Sequence, residues 1–133
     1  MDIDYELRIR TTFLYPGQDG VEKQSRTVNG TVMREGGKLT IEYKDIGGLA
    51  RIIYKGDEVM LKHGQSVLYL KKNQEVPNDY LTEFGTIKVN AKLNSVNAGM
   101  SQFHINYALS QDKPFVRVGI FIRWVSPDHE PVH

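Results

Sequence analysis

Five side chains in this sequence have the types and spacing to form a binding site. They are four phenols and one imidazole, each on the apolar side of a segment in which apolar and polar residues alternate: Tyr5, Tyr43, Tyr54, His63 and Tyr107. Such groups need hydrogen-bond partners when they are buried on an otherwise apolar face. A barrel interior lined in this way could hold a small, partly apolar molecule. The alternative is that the rings simply fill the interior.

His63 is the strongest single candidate for a chemical role. The stretch "HGQS" places it opposite Ser66 across a two-residue turn. Hydrolysis by a serine and a histidine also needs an acid that orients the histidine and donors that bind the oxyanion. The inferred pairing supplies neither. The sequence therefore predicts no catalytic residue and favours a protein that is not an enzyme.

Metal and cofactor chemistry has little support in the sequence. The chain contains no cysteine, which excludes thiolate nucleophiles, disulfides and cysteine-based zinc or iron–sulfur sites. Potential metal ligands gather only in the C-terminal stretch "SPDHEPVH", as Asp128, His129, Glu130 and His133, where prolines leave little fixed geometry. We therefore expect neither a metal nor a cofactor.

Charge and length also limit the classes of partner. The chain has 133 residues, enough for one core, and 17 Lys and Arg against 16 Asp and Glu. A nucleic-acid module would show a strong basic excess, and the outward basic residues are read as solvated (Arg51, Lys55, Lys62, Lys88 and Lys92). No stretch is long and apolar enough to span a membrane or to serve as a signal peptide. We expect a cytoplasmic protein that binds neither nucleic acid nor membrane.

The elements that must position these residues are β-strands. Nearly the whole chain alternates with a period of two, which predicts about nine half-buried strands and no helix. In the first strand one face carries Ile3, Tyr5, Leu7, Ile9 and Phe13, and in the last one face carries Val116, Val118, Ile120, Ile122 and Trp124. The segment 71–83 reads as irregular.

Short turns predict how neighbouring strands align, because a two-residue hairpin fixes which residues lie opposite each other. "KGDE", "HGQS" and "EGGK" pair Ala50 with His63, His63 with Ser66, and Gly30 with Tyr43. "SQDK" and "VNAGM" predict Tyr107 opposite Val116, Phe103 opposite Ile120, Leu93 opposite Phe103, and His104 opposite Gly119. The apolar faces of neighbouring strands then agree.

Sequential hairpins with one coherent apolar face predict a single up-and-down antiparallel β-barrel, because closure removes the edges of a sheet. A two-sheet sandwich is the alternative. The barrel would span residues 1–125, followed by an irregular tail at 126–133. Residues 21–28, "VEKQSRTV", have an indistinct period, and a bulge there would reverse the faces of the first strand.

The stretch "TEFGTIKVNAKL" carries the most specific resemblance to known proteins. Thr82, Phe84, Gly85, Thr86 and Ile87 match a Thr-Pro-aromatic-Gly-Thr-Leu pattern, with Glu83 in place of the proline. Together with the early charged strand and "EVMLKHG", this resembles the YwiB-like family of small bacterial proteins. The resemblance implies a calycin-like, lipocalin-like barrel and no particular activity. Gly85 precedes a strand rather than a helix, so it is interpreted as a bend and not as a phosphate-binding loop.

A second function class is protein interaction through the outer face of the barrel. The last strand alternates aromatic and basic residues there, at Phe115, Phe121 and Arg123. Exposed aromatic residues and arginine are enriched at interfaces, so a homodimer or another partner could bind this face. The sequence thus leaves two hypotheses open: a small-molecule binder, and an interaction or structural module.

Overall fold

The structure, a computed structural model, describes residues 3–125 as an all-β fold. Its ten strands are β1 (Ile3–Leu14), β2 (Glu22–Glu35), β3 (Lys38–Asp45), β4 (Gly48–Lys55), β5 (Glu58–His63), β6 (Ser66–Lys71), β7 (Glu75–Thr82), β8 (Gly85–Ala98), β9 (Gln102–Ser110) and β10 (Pro114–Val125). The predicted fold class is confirmed, with ten strands rather than about nine.

One antiparallel sheet contains all ten strands. Strands that follow each other in sequence pair with each other, except β6 and β7, and β1 pairs with β10. The sheet order is therefore β6-β5-β4-β3-β2-β1-β10-β9-β8-β7, and the two edge strands come into contact with each other. The result is a nearly closed up-and-down barrel, as predicted, and not a sandwich.

The contact between β6 and β7, here called the seam, is held by side chains instead of a backbone ladder. Asn78 of β7 accepts a hydrogen bond from the Tyr69 amide at 2.7 Å and donates to the Tyr69 carbonyl at 2.9 Å. The Ser66 hydroxyl donates to the Leu81 carbonyl at 2.6 Å. Ser66 lies three residues before Tyr69, and Leu81 lies three after Asn78, so both contacts follow one antiparallel register. These side-chain hydrogen bonds close the barrel wall between β6 and β7, where the backbone hydrogen bonds of a sheet are missing.

The core lies on the inner face of the barrel. In β1 the buried side chains are Leu7 and Ile9, and in β10 they are Val116, Val118, Ile122 and Trp124. The other strands add fully buried side chains on the same inner face: Ile41, Val59, Leu70, Leu93, Phe103 and Ile105. The predicted inner faces of the first and last strands are therefore confirmed.

Strand registers set by two-residue turns are confirmed. Ala50 lies opposite His63, His63 opposite Ser66, and Gly30 opposite Tyr43. β1 and β2 pair without interruption, so the bulge considered for residues 21–28 does not occur. The inner face of β1 consequently stays as predicted.

Two registers near the end of the chain are wrong. Tyr107 lies opposite Val118 instead of Val116, because the turn makes Pro114 the partner of Ser110, one residue later than predicted, and the pairing shifts by one more residue between Pro114 and Val116. For the same reason Phe103 faces Ile122 and His104 faces Phe121. Leu93 pairs with Tyr107 and not with Phe103, since the turn after β8 lies later in the chain and the register shifts again between Leu93 and Ser95. The β9–β10 displacements are by two residues, which preserves the inner and outer faces.

The segment 71–83, predicted as irregular, contains β7. Gly85 ends the tight turn between β7 and β8, with φ at +111°, a backbone conformation that favours glycine. The Thr82 hydroxyl closes this turn by accepting from the Phe84 amide at 3.1 Å and donating to the Gly85 carbonyl at 2.7 Å. The interpretation of Gly85 as a bend is correct, and this bend is the turn of a hairpin.

The tail predicted at 126–133, with its candidate metal ligands Asp128, His129, Glu130 and His133, lies outside the described residues. Between residues 3 and 125 no helix has the length and apolar character needed to cross a membrane.

Candidate functional site

A half-enclosed cavity of about 250 Å³ occupies one end of the barrel. This is the end at which the turns β1–β2, β3–β4, β5–β6, β7–β8 and β9–β10 lie. Polar groups from five strands line it, at Gln24, Arg26, Tyr43, His63, Tyr80 and Tyr107, between aliphatic side chains of β4, β5 and β6. The volume is slightly below the range of about 300–1,000 Å³ that is common for ligand pockets. Side chains therefore do not completely fill this end of the interior.

Three of the five predicted lumen residues line the cavity: Tyr43, His63 and Tyr107. The other two lie on the inner face but elsewhere. The Tyr54 ring packs against Phe103, with ring centroids 5.8 Å apart, and Tyr5 packs against Trp124 at 6.5 Å. The structure thus divides the predicted set between a polar cavity and aromatic core packing.

Arg26 is the charged centre of the cavity. Uninterrupted pairing places it opposite the buried Ile9, so its side chain points inward from β2. Its Nη2 lies 2.5 Å from Oδ2 of Asp45, the last residue of β3, whose side chain is only 10% exposed. Its Nε is buried and has no hydrogen-bond partner within the described residues 3–125. A buried donor without an acceptor is costly in a folded protein, so this atom marks where a ligand could bond.

Asp45 links Arg26 to the predicted histidine. Oδ1 of Asp45 accepts from the Ile46 amide at 2.8 Å, which orients the carboxylate, while its Oδ2 lies 3.6 Å from Nε2 of His63. The Gly47 backbone packs against the His63 ring, so that a Cβ at Gly47 would lie 3.1 Å from Cε1. The sequence predicted no carboxylate beside His63, and the structure corrects this.

Acid, histidine and serine are therefore near one another without forming a catalytic triad. The Asp45 carboxylate is bound to Arg26 at 2.5 Å, closer than its 3.6 Å distance to His63. The Ser66 hydroxyl donates its proton to the Leu81 carbonyl across the seam. A nucleophilic serine would instead donate to the histidine, which would be held by the acid. The acid and the serine each have another structural partner.

Two phenols of the cavity, Tyr43 and Tyr107, have a raised pKa. Burial raises the pKa of Tyr107 far above the ordinary value of a phenol, and the neighbouring Tyr80 and Tyr43 add to the effect. Burial also raises the pKa of Tyr43, partly offset by the charge of Arg26 and a hydrogen bond from it. These two residues therefore offer hydroxyl donors to the cavity.

We expect the buried phenol of Tyr107 to make the barrel less stable in alkali. Above about pH 10 the unfolded chain releases this proton while the folded chain retains it, so the free energy of unfolding falls as pH rises. Tyr107→Phe should flatten this fall between about pH 9 and pH 11, as measured by urea denaturation. The control is Tyr69→Phe, at a ring that is 56% exposed on the outer face. Equal slopes for Tyr107→Phe and the unmodified protein would contradict the burial of this hydroxyl.

Two comparisons with known proteins identify the family of this chain. A family model described as a domain of unknown function, DUF1934, matches residues 3–117. The chain belongs to the DUF1934 family. Its fold is similar to the crystal structure of the ywiB protein from Bacillus subtilis, with a TM-score of 0.66 and 12% sequence identity over 94% of each chain. The resemblance to the YwiB-like family is confirmed, and at this identity the structural likeness shows the fold alone. No curated protein matches the sequence significantly.

The sequence reasoning missed Arg26 and Tyr80, which line the cavity of this DUF1934 domain, and Asp45, which binds Arg26. Arg26 lies in the stretch whose period was indistinct, and the indistinct period was itself a signal, since it arises from inward polar residues at Gln24 and Arg26. Asp45 is the last residue of β3 and lies beside a turn, where an acidic residue is common and does not indicate a site. Tyr80 lies in the segment that was interpreted as irregular.

The predicted interface residues of this DUF1934 domain do not share one surface environment. Phe115 is half-buried and packs against the core. Phe121 lies on the outer face beneath the Arg10 guanidinium, 5.5 Å from the ring centroid, with the His104 ring 5.5 Å away at its edge. Arg123 pairs with Arg8 across the strands. A shallow outer groove contains Arg8, Arg10, Phe121 and Arg123, and Gln102 faces Arg123.

Metal ligands do not converge in the described part of the domain. Between residues 3 and 125, no group of three or more His, Cys, Asp or Glu side chains is close enough to hold an ion. Of the outward basic residues, Arg51 is engaged by Glu42, with Nη2 2.8 Å from Oε2.

Proposed function

We propose that this DUF1934 domain is a non-enzymatic binder of a small, partly apolar molecule, held in the cavity at the end of the barrel. The observation that carries the proposal is the buried Nε of Arg26, which lacks an acceptor in a cavity that also holds Tyr43, His63 and Tyr107. Aliphatic walls with a few convergent polar groups are typical of small-molecule sites. The calycin-like analogy and a cytoplasmic location belong to the same proposal.

The test is native mass spectrometry of the protein purified from its own host, followed by extraction of any bound molecule under denaturing conditions. We expect a reproducible adduct on the unmodified protein. Tyr107→Phe removes one hydroxyl donor and should weaken binding about tenfold, the equivalent of about 1.4 kcal/mol for a hydrogen bond, and so lower the adduct occupancy.

Tyr69→Phe is the matched control, because it removes the same atom from a ring outside the barrel. Its adduct occupancy should equal that of the unmodified protein. An adduct retained equally by Tyr107→Phe and Tyr69→Phe would place the bound molecule outside this cavity. A bare chain in every preparation would remove the support for small-molecule binding.

The second candidate function is an interaction module that uses the outer groove to form a homodimer or to bind another partner. Arg8 and Arg123 lie directly opposite each other in β1 and β10. Like charges in such a pair destabilise a sheet, so their juxtaposition favours a binding role at this groove. A bare chain at twice the monomer mass in the same experiment would favour this function over the first.

A further inference from the structure

We infer that the molecule bound in the cavity is uncharged and presents a hydrogen-bond acceptor, such as a carbonyl oxygen, to Nε of Arg26. This inference rests on the proposed function and names the chemical class of its ligand. The inference depends on the charges and hydrogen-bond donors that line the cavity and on the volume of the cavity.

The charge of Arg26 is already compensated. Its Nη2 contacts the Asp45 carboxylate at 2.5 Å, and that carboxylate is almost fully buried. An anionic ligand placed at Arg26 would therefore also stand beside Asp45, and it would lose its hydration on entering. A cationic ligand would meet the guanidinium itself. An uncharged acceptor avoids both penalties.

The free donor of Arg26 is on a different nitrogen from the one that binds Asp45. A guanidinium holds five N–H donors in a rigid planar fork, so one bond does not satisfy the others. Nη2 serves Asp45. Nε remains buried, without a partner among residues 3–125. A single acceptor atom on a ligand would satisfy it.

Phenol hydroxyls add further donors to the cavity. The hydroxyl of Tyr107 is buried close to those of Tyr80 and Tyr43, and the raised pKa of Tyr107 keeps its proton in place. A carbonyl oxygen has two lone pairs and can accept from Arg26 and a phenol together. About 250 Å³ is the liquid volume of about eight water molecules, which suits a single substituted ring.

Three probes of the same size and different charge test this inference: benzamide, benzoate and benzylamine. Each is titrated into the unmodified protein at pH 8, where an imidazole is ordinarily neutral, and followed by two-dimensional NMR. We expect benzamide to shift the resonances of cavity residues and to bind at least tenfold more tightly than either charged probe. Arg26→Lys keeps the charge but removes Nε, so it should abolish this preference.

Asp45→Asn should reverse the selectivity. The substitution removes the compensating charge, and the uncompensated guanidinium should then bind benzoate at least as tightly as benzamide. Circular dichroism checks that both variants remain folded, and Tyr69→Phe should retain the selectivity of the unmodified protein. The titrations of the unmodified protein test the inference even where a variant does not fold.

Preference for benzoate or benzylamine in the unmodified protein would overturn the inferred ligand class while leaving small-molecule binding intact. Failure of all three probes, together with no adduct on the native protein, would overturn the proposed function as well. The extracted molecule provides an independent result: an uncharged compound with a carbonyl or hydroxyl acceptor supports the inference, and an acid or an amine overturns it.

Discussion

Gly30→Ala should destabilise the barrel by at least about 3 kcal/mol, the upper end of the usual cost of overpacking. A Cβ at this position would lie 2.3 Å from the backbone carbonyl oxygen of Glu42 and 2.6 Å from Cδ1 of Leu7. Leu7 is fully buried, and Glu42 belongs to the ladder between β2 and β3, so neither atom can move freely. The expected loss is opposite in sign to the gain of about 0.5–1 kcal/mol that alanine normally gives over glycine within a strand. Urea denaturation measures it.

Gly99→Ala is the matched control for this substitution. A Cβ there would approach only Gln102, whose side-chain Cγ would lie at 3.2 Å and whose backbone oxygen at 3.8 Å, and Gln102 is exposed. We expect its free energy of unfolding to remain within about 0.5 kcal/mol of the unmodified protein. A similarly small effect of Gly30→Ala would show that β2 and β3 separate easily. It would contradict the tight packing of Gly30 against Glu42 and Leu7.

The inner faces of the barrel could be predicted because turn chemistry and alternation are local properties. Two-residue turns fixed the pairing of His63 with Ala50 and with Ser66, and these pairings brought His63 to the cavity. A bulge adds a residue without an equally clear sequence signal. The shift between Pro114 and Val116 was therefore missed, although together with the longer turn it displaced the register by two residues and so left Val116 and Val118 on the inner face.

The cavity could be predicted only in part because its polar residues break the pattern that reveals a strand. Arg26 and Gln24 point inward where an apolar residue is expected, so their stretch seemed ambiguous. The approach of Asp45 to His63 joins β3 to β5 across the intervening β4, and turn-based pairing gives only adjacent strands. Local rules fail most readily at functional sites, and this cavity is consistent with that principle.

The strand β7 was missed because its own residues argue against a strand. Pro77, Asn78 and Asp79 all have low strand propensity. The position of β7 at the edge of the sheet tolerates a proline, and Asn78 is required there as a substitute for backbone pairing. This role becomes visible only when β6 and β7 are brought together.

Asn78→Ala should loosen the seam and destabilise the barrel by about 3 kcal/mol. The side chain is 6% exposed and makes three hydrogen bonds: it accepts from the Tyr69 amide, and it donates to the Tyr69 carbonyl and to the Val76 carbonyl at 3.0 Å. Its removal leaves these backbone groups unpaired, and each unsatisfied buried group costs about 1–3 kcal/mol. Urea denaturation gives the total, and hydrogen exchange gives its location.

The seam should respond before the rest of the barrel. In Asn78→Ala we expect faster exchange of the Tyr69 amide and of neighbouring amides in β6 and β7, with smaller changes in β1 and β10, which are paired on both sides. The control is Asn97→Ala, at an exposed asparagine of β8, which should change stability by no more than about 0.5 kcal/mol. Equal stability of the two variants would mean that Asn78 does not hold the barrel closed.

The seam also forms part of the cavity wall, which connects its stability to binding. Ser66 and Leu68 line the cavity from β6, and Tyr80 lines it from β7, so the two sides of the seam meet around the bound molecule. A ligand that contacts both sides binds the closed barrel more tightly than the open one, and by linkage it must oppose opening. Asn78→Ala should therefore retain less of the native adduct than Asn97→Ala does, even though neither substitution changes an atom of the cavity lining. Equal retention by the two variants would place the determinants of binding on Arg26 and its neighbours alone.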